Sequence, residues 1–144
     1  MAERGLVQHM NPEGLPKNPA WTNVVTVSGP VKTIYVGGQN AVGPSGQIVG
    51  KVGKGDIAAQ TEQVFRNLET ALGAAGARLE HVIKWNLYVL AGQPLQPGFE
   101  VFRRVWGQRA NPPVITAAMV ASLAHPDFLL ELDAVAVVPE TDTA

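Results

Sequence analysis

Hydrophobic and polar positions change period several times along the chain. "NVVTVSG" (Asn23–Gly29) and "VKTIYVGG" (Val31–Gly38) are rich in β-branched residues and are joined at Gly29-Pro30, a turn signal, so they predict two strands paired as a hairpin. "GLVQHM", before them, predicts a weaker first strand. The glycine-rich "QNAVGPSGQIVGKVGKG" that follows disfavours regular structure and suits an ordered loop. From Asp56 the spacing becomes helical: Ile57, Thr61, Val64, Phe65, Leu68 and Leu72 recur at threes and fours, with Asp56 as N-cap and Gly73 or Gly76 as the stop.

"HVIKWNLYVL" (His81–Leu90) reads as a central strand, and Phe99, Phe102, Val105 and Trp106 predict a second, shorter helix that Pro112-Pro113 closes off. "VITAAMVASL" and "FLLELDAVAVV" predict two further strands on either side of "AHPD". The last strand places Leu130, Leu132, Ala134 and Ala136 on one face and Leu129, Glu131, Asp133, Val135 and Val137 on the other. Neither face is cleanly polar, so both are expected to be covered. Two helices can cover one; identical subunits are the simplest cover for the other. The order strand, strand, strand, helix, strand, helix, strand, strand is an α+β pattern.

Composition narrows the function classes. The 144 residues suit one domain spanning 1–144, with no repeat or linker to divide it. Eleven basic against twelve acidic residues give a net charge of −1, so no bulk field attracts a phosphate backbone and nucleic acid is not the default partner. The absence of cysteine excludes disulfides, a thiolate nucleophile and thiolate metal ligation. His9, His81 and His125 form no ligand-spaced pair, so no metal is expected, and no cofactor is required. The glycine-rich loop lacks the Lys-Ser/Thr of a phosphate-binding loop. With no signal-like start and no apolar run approaching the ~18 residues that span a bilayer, the expectation is a soluble, cytoplasmic protein without membrane contact.

"IYVGGQ", "GQIVG", "DIAAQTEQVFRNLETALGAAGA", "HVIKWNLYV" and "PPVIT…LLELDAVAV", in this order, resemble the reactive intermediate deaminase (Rid, or YjgF) family over Leu6 to Val138. The resemblance implies a chorismate-mutase-like fold, a mixed sheet backed by two helices, with three subunits closing a homotrimeric barrel and a small-molecule cleft at each interface. It also implies hydrolysis of imines or enamines to keto acids and ammonia, with an arginine gripping the substrate carboxylate. Ile115 stands in that arginine's place, and no basic residue follows Arg109. A guanidinium pairs bidentately with a carboxylate, whereas a branched alkyl group only desolvates it.

Other positions that the resemblance assigns to the cleft have also changed: Gly37 replaces a serine, Trp21 a tyrosine and Phe99 an asparagine. Glu131 remains where the family positions a carboxylate near the attacking water, with Thr116 for serine and backbone groups at Gly37 and Gly38. Glu131 is read either as a water-positioning base or as the partner of an interfacial cation such as Arg103 or Arg104. Asp133, on the same face, either perturbs Glu131 or accepts hydrogen bonds at a boundary. The leading expectation is a homotrimer hydrolysing an imine or enamine without a small α-carboxylate. The alternatives are a non-catalytic trimer binding a metabolite or protein partner, and RNA cleavage using Arg103, Arg104 and Arg109 beside Trp106.

Overall fold

The computed structural model describes residues 3–51 and 56–140; residues 52–55 of the glycine-rich loop lie outside the described residues. Eight principal elements follow in order: β1 (Leu6–Met10), β2 (Val24–Ser28), β3 (Val31–Gln39), α1 (Ile57–Ala74), β4 (Val82–Leu90), α2 (Gln96–Trp106), β5 (Val114–Val120) and β6 (Leu130–Pro139). A single 3-10 turn, Leu79–His81, leads into β4. This is an α+β arrangement with a four-stranded mixed sheet in the order β3-β6-β4-β5, in which only β4 and β5 run parallel. Among the described residues, no helix is long and apolar enough to cross a membrane.

The expected hairpin between β2 and β3 does not form. β2 pairs with β1, Leu6 opposite Ser28 and Met10 opposite Val24, while β3 pairs with β6. The turn at Gly29-Pro30 is a corner between two sheets. Gly29 has φ 76°, and a Cβ there would lie 2.4 Å from the Arg4 carbonyl oxygen, so the segment leading into β1 occupies the space a larger residue would need. Pro30 has no N–H to donate; its carbonyl accepts from the Glu140 amide at 3.0 Å, beside the end of β6.

α1 begins as its sequence indicates. Asp56 Oδ1 accepts from the Ala59 amide at 3.0 Å, capping the first turn. The helix ends where Gly76 adopts φ 79°, with Gly73 still inside it. Val64, Leu68 and Leu72 are fully buried against the sheet. α2 opens with Pro97 in its first turn and closes under Arg109, whose Nη1 donates to the Val105 and Trp106 carbonyls at 2.9 and 3.0 Å. On α2 the structure buries Val101 and Trp106, whereas Phe99 is 41% exposed.

Two side-chain amides on α1, one buried and one half-buried, tie it to the loops of the sheet. Gln60, with no exposed surface, donates from Nε2 to the Asp127 carbonyl at 2.8 Å and accepts the Leu129 amide on Oε1 at 2.9 Å. Asn67 Nδ2 donates to the carbonyls of Asn40 and Val42 at 2.9 and 3.0 Å, fixing the loop after β3. That loop contains its own small turn, with Val42 bridged to Ile48.

The helices cover one sheet face, onto which Val36, Trp85, Val89, Leu132, Ala134 and Ala136 are buried. The other face carries Tyr35, 79% exposed, opposite Val135. Only its Val137 end is closed, where Val7 and His9 of β1 meet it in a shallow groove. His9 Nε2 is buried there without a hydrogen-bond partner, and burial lowers the His9 pKa. Glu80, His81 and Arg109 line the rest of this groove.

Two outcomes follow from these contacts. Gln60→Leu leaves the Asp127 carbonyl and Leu129 amide without their partner and should cost about 2–5 kcal/mol in a denaturant titration, against less than 1 for an exposed site such as Glu69→Leu. For His9 the folded state favours neutral imidazole, so the unfolded chain takes up the proton first. Stability should therefore fall as pH drops through about 6.5, and His9→Gln should flatten that slope; identical slopes would show that His9 is not its source.

Candidate functional site

An apolar pocket of about 430 Å³ lies on the helix-covered side of the sheet, beside edge strand β5. Its floor comes from alternate residues of three strands: Trp85, Leu87 and Val89 of β4, Ile115 and Met119 of β5, and Leu132 of β6. Trp85 faces Ile115 across the parallel β4–β5 register, and Val89 faces Met119. Phe65 of α1 and Phe102 of α2 form the walls. These rings meet Trp85 edge to face, Phe65 at 5.9 Å and 77°, Phe102 at 5.5 Å and 83°. Trp106 supports the group from behind, its indole Nε1 donating to the Arg109 carbonyl at 2.8 Å.

Trp21 reaches the mouth from the segment between β1 and β2. Asn18 Oδ1 accepts the Ala20 amide at 2.8 Å in a local turn, and the Thr22 amide donates to the Pro113 carbonyl at 3.1 Å. The turn is therefore tied to the start of β5 and holds Trp21 beside Ile115 and Phe99 at the rim. None of the described residues lining the space carries a charge. The only hydroxyl among them is that of Thr61, which is 5% exposed and donates to the Ile57 carbonyl at 2.6 Å.

Within one chain the sequence candidates fall into two groups. Trp21, Phe99 and Ile115 come together in the apolar pocket. Glu131, Gly38 and Thr116 belong to the opposite face, because Glu131 faces Tyr88, and Thr116 stands beside Asn86, which faces Asp133. Side chains of successive strand residues point to opposite faces, so Ile115 and Thr116 cannot share one intrachain cleft. The Glu131 carboxylate lies over Gly38, where an added Cβ would be 2.7 Å from its Cδ and Oε2. A glycine is what permits this close approach; a Cβ at Gly37 meets nothing within 4 Å.

The intrachain partners weighed for Glu131 are engaged elsewhere. Arg104 pairs with Glu62 of α1, and the Arg103 guanidinium lies 6.0 Å from the centre of the Phe99 ring. Asp133 Oδ1 accepts from Asn86 Nδ2 at 2.9 Å. Among the described residues no ion pair reaches Glu131. Arg109 bonds to Glu80 at 3.2 Å, and with Arg78 and its own backbone contact this holds the Glu80 carboxyl below the usual range, the backbone contact being the largest cause. Among the described residues no group of three metal-ligating side chains is assembled.

Sequence reasoning missed Thr61, Leu95 and Met119 as lining residues. For Thr61 the signal was present: a hydroxyl residue on the apolar stripe of a helix. For Met119 none existed without the β4–β5 register.

Comparison with known proteins gives a consistent result. The family model described as Endoribonuclease L-PSP matches residues 16–138. A RutC family protein of Pyrococcus horikoshii is 33% identical over 103 residues, 72% of this chain and 77% of that protein. The crystal structure of YyfB from Yersinia pestis, a protein of unknown function of the conserved Rid family, superposes with a TM-score of 0.77 at 30% identity, covering 92% of this chain and 98% of that one. The structure of Rv2704 from Mycobacterium tuberculosis, of the YjgF/YER057c/UK114 family, gives 0.59 at 32% identity, covering 82% and 86%.

Proposed function

Because this chain belongs to the Rid/YjgF family, whose model is described as Endoribonuclease L-PSP, we propose that it binds a small, uncharged, largely apolar molecule in the pocket between β5 and the two helices. The observation that carries this is the lining: about 430 Å³ bounded by aromatic and aliphatic side chains with no charged group among the described residues, and Ile115 at the position the resemblance gives to a carboxylate-gripping arginine. A carboxylate entering this space loses its hydration and gains no cation, whereas a neutral molecule loses little and gains apolar contact.

A second reading rests on Glu131, a carboxylate over Gly38 with no intrachain ion pair. In a cytoplasmic homotrimer packed through the open sheet face, Glu131, Thr116 and the Gly37-Gly38 backbone of one subunit can complete a cleft whose apolar side, Trp21, Phe99 and Ile115, belongs to the next. Glu131 then positions or deprotonates the water that hydrolyses an imine or enamine lacking a small α-carboxylate, without a cofactor. RNA cleavage receives less support, because Arg104 and Arg109 are engaged with Glu62 and Glu80 and the net charge is −1.

Thermal-shift titration with toluene and benzoate, molecules of matched ring size, tests the binding reading. Toluene should stabilise the protein and benzoate should bind roughly ten-fold or more weakly, with Ile115→Arg reversing the order. Benzoate binding at least as tightly as toluene to the unmodified chain would overturn it. For the hydrolytic reading, Glu131→Gln should lower turnover of a neutral imine about 100-fold while leaving trimer size and melting temperature unchanged. A monomer by light scattering, or full activity in the variant, rejects that reading.

A further inference from the structure

The apolar pocket adjoins a second, more polar groove between α2 and the turn at Asn18–Ala20. Ala20, Phe99 and Phe102 line both, and the groove adds Glu100, Arg103 and Arg104. A ladder of contacts leads from one to the other: Trp85 on the pocket floor, Phe102, Phe99 and the Arg103 guanidinium follow at successive spacings of 5.5, 5.9 and 6.0 Å. The cation therefore stands outside the pocket, one ring beyond its rim.

Arg103 differs from its neighbours in the groove. Arg104 pairs with Glu62, and Glu100 Oε1 accepts from Gln96 Nε2 at 3.3 Å. Among the described residues no carboxylate pairs with Arg103, which is exposed. A guanidinium lying over a ring keeps its in-plane N–H donors for another partner, and their fork matches a carboxylate. Ile115 and Arg103 together decide where a ligand can carry charge. A carboxylate attached directly to the buried body loses its water beside Ile115, whereas one on a chain long enough to pass Phe99 stays hydrated and meets a cation. Glu100 lines the same groove, and solvent screens it, so the gain from that contact is modest.

We propose that the ligand is an amphiphile, with an uncharged apolar body in the pocket joined through several bonds to a carboxylate held at Arg103 in the groove. This rests on the pocket being the ligand site and extends that reading, since the part inside remains uncharged. The test measures binding to the full chain by calorimetry or ligand-observed NMR. The probes are toluene, the phenylalkanoates from phenylacetate to 6-phenylhexanoate, and the methyl esters of the longer acids. Phenylacetate should bind more weakly than toluene, and the longer acids should overtake it. Arg103→Gln should weaken the longer acids about 2- to 5-fold and leave toluene and the esters unchanged, while Arg103→Lys, which keeps the charge, should recover part of the loss. Added salt should shrink the difference between the unmodified chain and Arg103→Gln. Long acids that bind no better than phenylacetate, or equally well to Arg103→Gln, overturn the carboxylate contact and leave the apolar pocket standing. If neither toluene nor the esters bind at millimolar concentration, the pocket reading fails and the amphiphile with it.

Discussion

The first helix is fastened to the turn before β6 by one side chain, the amide of Gln60. It is polar, sits on the helix face that enters the core, and has no exposed surface. Its two bonds go to the turn immediately before β6, and the Leu129 carbonyl in that turn accepts from Leu90 at the end of β4. A helix, a turn and two central strands are thereby locked by groups that would be costly to bury unpaired. Asn67, two turns further along α1, does the same for the loop leaving β3. Both loops are thereby tied to α1, on the side of the sheet where the pocket beside β5 lies.

Charge is arranged to match. Arginines on and after α2 are held by acids on α1 and on the turn before β4, on the outer side of the helices, so the pocket beneath them stays apolar. The polar residues of the sheet, Asn86, Asp133, Thr116 and Glu131, lie on the other face. The sheet thus acts as a partition, with aromatic contact on one side and hydrogen-bonding groups on the other. Chemistry that needs both requires a second chain to bring one side to the other.

Much of this was legible in the sequence, and the parts that were not share a cause. α1 was readable because its signals are local: Asp56 for the cap, a stripe from Ile57 to Leu72, and Gly73 or Gly76 for the stop, of which Gly76 is the one used. β6 was readable because apolar, β-prone residues recur on both its faces, with Glu131 and Asp133 interrupting only one. The β2–β3 hairpin was misread because strand pairing is nonlocal: Gly29-Pro30 indicates a change of direction and cannot say which strand lies alongside. α2 was found from the stripe Phe99, Phe102, Val105 and Trp106, but Val101, which lies off that stripe, is buried in the structure, and only the position of β5 decides that Phe99 stands at a rim. The division of Ile115 from Thr116 follows from the two-residue period of a strand. A resemblance that lists both as cleft residues is silent about which subunit supplies each.

The position of β6 has a consequence for how the chain comes together. β6 lies between β3 and β4, near the middle of the sheet, yet it follows every other element in the chain. During synthesis β3 waits for a partner until almost a hundred further residues have been added, and its unpaired edge stays exposed in the meantime. α1, with its strong local signals, can form early and hold Val64, Leu68 and Leu72 in place as a template. The four-stranded sheet is complete only when its last strand pairs with both β3 and β4.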